Sequence, residues 1–167
     1  WEWELQKSVW IAWPHNKEDW PNLFKNIPKV IAEIIANLSN SQKVNLLINN
    51  QNDKIKIKKI LNNFNYKLSN IVFYTIPTNR IWLRDSGPIF LVNKINKNKV
   101  LLNFKFNAWA KYKDYQKDNL INNKISKITK IKKINPTIRI NNKLKQVVLE
   151  GGAIDVNGKG SILLTKE

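Results

Sequence analysis

The groups able to do chemistry in this sequence gather in a few polar loops. Trp82-Leu83-Arg84-Asp85-Ser86-Gly87-Pro88 sets an aromatic ring, a cation and a carboxylate side by side just before an apolar run. Binding and catalytic groups concentrate in such loops. A carboxylate there can accept paired hydrogen bonds from a planar cation such as guanidinium, and a Trp face can cover the cation's stem or its charge. The same residues also fit a plainer role, in which Arg84 and Asp85 only brace their own loop. Glu150-Gly151-Gly152 is a second candidate, a carboxylate followed by two residues past which a ligand or another backbone can approach closely. A solvated Glu beside a Gly-Gly turn is its plainer reading. His15 is the only histidine, and beside Pro14 it fits a structural role better than a catalytic one.

Composition removes several classes. With one His and no Cys, the chain holds neither a His-based metal cluster, a thiolate metal site nor a disulfide scaffold. No phosphate-binding glycine loop or dinucleotide fingerprint is present. No apolar run approaches the ~20 residues of a membrane span. The apolar share of 43% excludes wholesale disorder, and 167 residues can build one domain with a real core or part of a larger one. The absence of Met and the opening at Trp1 lead us to expect a fragment of a longer protein.

The charge is +17, and 26 of the 29 cationic side chains are Lys. Lys, Asn and Ile together make up 75 of the 167 residues, and all three have codons rich in adenine and thymine. Genome composition therefore accounts for the charge more simply than an acidic partner, which would favour Arg as well as Lys. Residues 111–145 hold 11 basic against 2 acidic side chains, which fits a solvated helix face or, alternatively, a phosphate-binding one.

Several elements must position these loops. Val9–Trp13 reads as a buried strand. The spacing of Ile27, Val30, Ile31, Ile34, Ile35 and Leu38 predicts a helix with one apolar face, and Pro28 suits its first turn. Val44–Ile48 is a short strand, Asp53–Phe64 a helix, and Ile71–Ile76 a strand closed by Pro77. Helices alternating with strands indicate an α/β fold. After a polar loop at Thr78–Gly87, Ile89–Val92 and Val100–Phe106 read as a hairpin. Ile121, Ile125, Ile128, Ile131 and Ile134 mark another helix. Strands at Gln146–Leu149 and Ser161–Leu164 close the chain, with Asn157-Gly158 as a hairpin turn signal.

Four blocks carry a resemblance: Trp10-Ile11-Ala12-Trp13-Pro14-His15 with Trp20-Pro21, Trp82 to Phe90, Phe106-Asn107-Ala108-Trp109-Ala110-Lys111-Tyr112, and Leu149 to Gly158. In this order they resemble the bacterial agmatine deiminase and Porphyromonas-type peptidylarginine deiminase family. The resemblance implies a pentein fold, an α/β propeller of ββαβ units, of which this chain would supply the first two to three as the N-terminal part of one catalytic domain. It also implies hydrolysis of a guanidino group to a ureido group and ammonia, without metal or organic cofactor. A Cys thiolate attacks the guanidinium carbon, a His exchanges protons, and acidic residues hold the cation.

By motif position, Asp85 corresponds to the family's guanidinium-binding Asp, Trp82 would line the pocket, and Glu150 would sit at its edge. The nucleophilic Cys and catalytic His lie beyond the residues present, so these 167 residues alone are expected to be inactive. Ala153 stands where Ser is usual, and Leu5-Gln6 where Pro-His is common. The expected partner is a small guanidino substrate, with agmatine preferred over peptidylarginine, in the cytoplasm. Nucleic acid is not favoured, a membrane is not expected, and a homo-oligomer is left open.

Overall fold

A computed structural model describes residues 4–165. Trp1, on which the expectation of a missing start rests, lies outside the described residues. The chain divides into two compact units, one up to Ile81 and one from Trp82.

In the first unit, β1 (Ser8–Ala12), α1 (Ile27–Ser41), β2 (Lys43–Ile48), α2 (Gln51–Leu61) and β3 (Ile71–Thr75) follow one another as the sequence predicts. The strands form a parallel sheet in the order β1-β2-β3. The central place of β2 explains its apolar run, since every residue from Val44 to Ile48 is buried. Val44, Leu46 and Ile48 share a core with Ala32, Ile35 and Ala36 of α1 and with Ile57 and Leu61 of α2. Asn45 is the polar residue of this buried run, and its Nδ2 donates to Ser8 Oγ at 2.9 Å. Asn50 starts α2 through a reciprocal cap: its side chain accepts from the Asp53 N–H at 3.1 Å, and the Asp53 carboxylate accepts from the Asn50 N–H at 3.3 Å.

The buried face of α1 differs from the predicted stripe. Ala32, Ile35, Ala36 and Ser39 are buried, Ile31 and Leu38 are half-buried, and Val30 and Ile34 are exposed. Small side chains bring the helix close to the sheet, so part of its wide aliphatic arc is turned outward. Ser39 is tolerated there because its hydroxyl donates to Ala36 O at 2.7 Å and accepts from the Lys67 N–H at 2.9 Å.

The second unit contains α3 (Leu83–Ser86), β4 (Ile89–Val92), β5 (Lys99–Leu102), α4 (Ile121–Thr129) and β6 (Lys132–Ile134). Here β4 pairs antiparallel with β5, and β5 pairs parallel with β6. These elements run in the ββαβ order that the resemblance implies. Leu101, Ile121 and Ile125 are fully buried at its centre. Two hairpins follow, β7 (Thr137–Ile140) with β8 (Lys143–Gln146), and β9 (Ile154–Val156) with β10 (Ile162–Leu164).

Several sequence expectations are corrected in this unit. The polar loop at Thr78–Gly87 contains the single-turn helix α3. The helix marked by Ile121 to Ile134 ends at Thr129, because Lys130 takes a left-handed φ of 57° and the chain turns into β6. The Lys-rich stretch is thus one nine-residue helix and three strands rather than a long basic helix face. Strand β5 stops at Leu102, and Lys105 makes an isolated bridge with Val148 in place of an extended hairpin. The strand expected at Gln146–Leu149 lies earlier, as β8, which pairs with β7 in a hairpin turning at Asn141-Asn142 with φ of 49° and 60°, while Val148 keeps only its isolated bridge. The Asn157-Gly158 signal does lie between paired strands, but in a longer loop, where the Asn157 side chain accepts from the Lys159 and Ser161 N–H groups at 2.8 and 3.1 Å.

Candidate functional site

In the second unit, the segment from Trp82 to Pro88 is shaped by one helical turn and a glycine. The Ser86 hydroxyl and N–H both donate to Trp82 O at 3.0 Å, and the Gly87 N–H donates to Leu83 O at 2.9 Å. A Cβ added at Gly87 would collide with Leu83 O, so glycine is required there for the tight exit into β4. This turn projects Trp82, which is 37% exposed, from its start and the half-buried Asp85 from its middle.

The Glu150 block packs directly on that turn. Glu150 precedes a short 3-10 turn, Gly151–Ala153, in which the Ala153 N–H donates to Glu150 O at 3.1 Å. A Cβ on Gly151 would fall on Arg84 O, and one on Gly152 would fall on the Asp85 Oδ1. Both glycines therefore serve the close approach that the sequence suggested, and the approaching group is the backbone and carboxylate of α3. The Gly152 N–H donates a hydrogen bond to the Asp85 carboxylate. Two candidates separated by more than sixty residues in sequence thus form one place.

The electrostatics of Asp85 reflect that placement. Burial pushes its carboxyl above the ordinary value, against the opposing pulls of the Gly152 N–H and, more weakly, the Arg84 charge. Arg84 is exposed and extends its Nη2 to Ile154 O at 3.4 Å. The Gly152 N–H engages one of the ~4 lone-pair positions of the carboxylate, leaving acceptor capacity for a forked cation. A partly desolvated carboxylate on a turn that begins at an exposed Trp is suited to binding a planar cation, which would restore its charged form.

Around Phe106 the chain adopts an uncommon backbone. Ala108, Trp109 and Ala110 have φ of 53°, 58° and 55°, three consecutive non-glycine residues in the left-handed region. Each such residue costs roughly 1–2 kcal/mol, and strain of this kind concentrates at functional segments. The turn is held by the Asn107 side chain, which accepts from the Ala110 N–H at 3.3 Å, and by Trp109 meeting Phe106 and Tyr112 edge-on at 5.4 and 6.2 Å.

The first unit places His15 in the loop after β1, half-buried, with Nδ1 3.2 Å from Trp13 O. That contact puts the Nδ1 proton on a backbone carbonyl and fits the structural role. Sequence reading passed over a more consequential pair there: Arg80 and Asp19 form an ion pair, with side chains only 3% and 1% exposed. The available signal was the use of Arg in a Lys-dominated chain, because the guanidinium fork is preferred for buried pairs. Among the described residues, no three His, Asp or Glu side chains gather to hold a metal ion.

Comparison with known proteins sets these observations in a family. A curated relative from Legionella pneumophila (strain Paris) is 30% identical over 168 residues, which cover 99% of this chain and 44% of the relative. Agmatine deiminase of C. jejuni, solved as a Cys-to-Ser variant with substrate bound, is similar in structure with a TM-score of 0.75 and 32% identity, over 98% of this chain and 44% of that one. Agmatine deiminase of Enterococcus faecalis, solved catalysing its reaction, gives a TM-score of 0.75 at 25% identity, over 98% of this chain and 42% of that one. The chain thus spans less than half the length of the relatives it matches, and its α/β fold is the pentein type of those deiminases. The model of the Porphyromonas-type peptidyl-arginine deiminases matches residues 1–167 without interruption, and the chain belongs to that family.

Proposed function

We propose that residues 1–167 form the N-terminal part of a single deiminase catalytic domain, and that the complete protein hydrolyses a guanidino group to a ureido group with release of ammonia. The observation that carries this reading is the half-buried Asp85 carboxylate, held by the Gly152 N–H on the turn that also presents Trp82. Asp85 binds the guanidinium, Trp82 lines its pocket and Glu150 lies at the edge. The nucleophile is a Cys thiolate supplied by residues outside this chain. It adds to the guanidinium carbon, ammonia leaves with a proton, and water then cleaves the carbon–sulfur bond to give the ureido product and free thiol. Asp85 contributes by fixing the cation's plane and by stabilising the positive charge retained up to the tetrahedral stage.

Agmatine is the substrate we favour, with N-carbamoylputrescine as product, and a cytoplasmic place in putrescine formation goes with that choice. Both solved relatives described above are agmatine deiminases by name, whereas the family takes its own name from peptidyl-arginine. Assay of the complete protein on agmatine, free arginine and a C-terminal arginyl peptide decides between them. Turnover of agmatine with little on the peptide is expected; turnover of the peptide alone overturns the agmatine reading. These 167 residues by themselves should turn over none of the three.

A further inference from the structure

Three lysines of the second unit converge on one surface depression, which is lined by Leu120, Asn123, Lys124, Ser126, Lys127 and Lys133. Lys124 and Lys127 stand three residues apart on α4, a spacing that places them on one face of the helix. Lys133 comes from β6, and its Nζ donates to the Asn123 Oδ1. Asn123 thus has its oxygen engaged and keeps its NH₂ as a donor. The Ser126 hydroxyl donates to Ile131 O at 2.7 Å, which ties α4 to the segment leading into β6. Among the described residues none of the three lysines is paired with a carboxylate. No Asp or Glu occurs between Asp118 and Glu150. Like charges gathered in one depression repel, and an anion placed there relieves the repulsion. Codon composition accounts for how many lysines the chain has, not for where the fold gathers them.

We propose that this depression binds a small polyphosphate anion, of the kind carried by a nucleoside triphosphate or by free tripolyphosphate. The Lys ammonium is a compact point charge with three donors, suited to phosphate oxygens. Three such charges suit a chain of phosphates better than one monoester, which carries only about −1.5 to −2. A nucleic-acid strand is a poorer occupant, because no aromatic side chain on which a base could stack occurs from Asn119 to Leu149. An anionic membrane is poorer as well, because Leu120 alone of the lining side chains is aliphatic. The site uses residues to which the deiminase reading gives no part, and it holds or fails independently of that reading.

The test titrates tripolyphosphate into the 167-residue chain at about 50 mM salt, where surface charges are only partly screened. Binding is followed by calorimetry and by amide NMR shifts. Expected is saturable one-to-one binding, with shifts concentrated in residues 120–133 and with ATP competing for the same site. Lys124→Gln together with Lys127→Gln should weaken binding by ~10-fold or more, since two charge-assisted contacts are lost. Gln is as good a helix former as Lys, so α4 should persist in that variant. Lys56→Gln together with Lys59→Gln removes the same charge at the same spacing from exposed positions of α2, and should weaken binding by less than about twofold. Equal weakening by the two pairs overturns the proposal, because it means attraction to the overall charge of +17. In the unaltered chain, shifts spread over the lysines of both units, or no saturation, overturn it without recourse to any variant. A short DNA duplex or phosphatidylglycerol vesicles binding with the Lys124 and Lys127 dependence, where tripolyphosphate fails to saturate, would overturn it in favour of a polymer or a membrane.

Discussion

The two units make opposite use of their apolar residues. Among the described residues, the first unit contains 13 of the 18 buried hydrophobic side chains, while the second contains 16 of the 22 large hydrophobics left exposed. In the first, a parallel sheet is covered by two helices and its central strand is sealed, as Leu46 and Ile57 show with no exposure at all. In the second, one small core around Leu101, Ile121 and Ile125 supports hairpins whose Ile138, Leu144 and Leu163 face water. The unit that carries the candidate site is therefore the one whose packing is incomplete. If Asp85 binds a small cation as proposed above, its pocket requires walls that exclude water.

The largest effects should fall in the finished unit. Leu46→Ala opens a cavity under β2 and should cost about 2–5 kcal/mol, whereas Leu163→Ala in the same 167-residue chain should stay within about 0.5 kcal/mol. Denaturant unfolding of both variants checks this, and similar losses would dissolve the distinction between the units.

Asp19→Ala removes the carboxylate facing the buried Arg80 guanidinium and should destabilise by about 3–5 kcal/mol, seen as a lowered Tm. A loss under about 1 kcal/mol would mean that the pair is not a structural centre of its unit.

In the unfinished unit the main consequence should be functional. Asp85→Asn in the complete enzyme keeps the shape but loses the charge, which should cost at least ~3 kcal/mol in transition-state binding, or roughly a hundredfold in kcat/KM. Kinetics and thermal unfolding on that one variant separate binding from bracing. A destabilised but fully active Asp85→Asn would show that Asp85 only supports its loop.

The smallest effect concerns pH. Because the folded chain raises the Asp85 carboxyl above its ordinary value, it favours the protonated form. The associated stability is present at pH below the ordinary carboxylate range and is lost as pH rises through the raised value. Asp85→Asn should therefore match wild type in Tm near pH 4 and lie slightly above it at pH 7. A Tm below wild type at pH 7 would instead assign the carboxylate a structural role.

What could be read directly from the residues was local or carried by motif. Apolar spacing marked β1, α1, β2, α2 and β3, because periods of 2 and 3.6 record which face of an element is buried. The four blocks identified the family, and within them Asp85, Trp82 and Glu150 stood out by residue type. Other features depended on encounters between distant segments. Nothing in the Ile121–Ile134 pattern says that Lys130 turns left-handed and hands Ile134 to a strand beside β5, since an aliphatic side chain suits either element and the neighbouring strand decides. The α1 stripe rotated because close packing on the sheet favoured Ala32 and Ala36 over larger neighbours. Asp85 acquired its raised carboxyl from burial, against the pull of the Gly152 N–H, and the missing side chain of Gly152 gains meaning only once the fold lays the Gly151–Ala153 turn against α3. Residue types set which chemistry was available; contact between segments far apart in the chain set where its charge is desolvated, because burial belongs to the packed structure and to no single stretch of sequence.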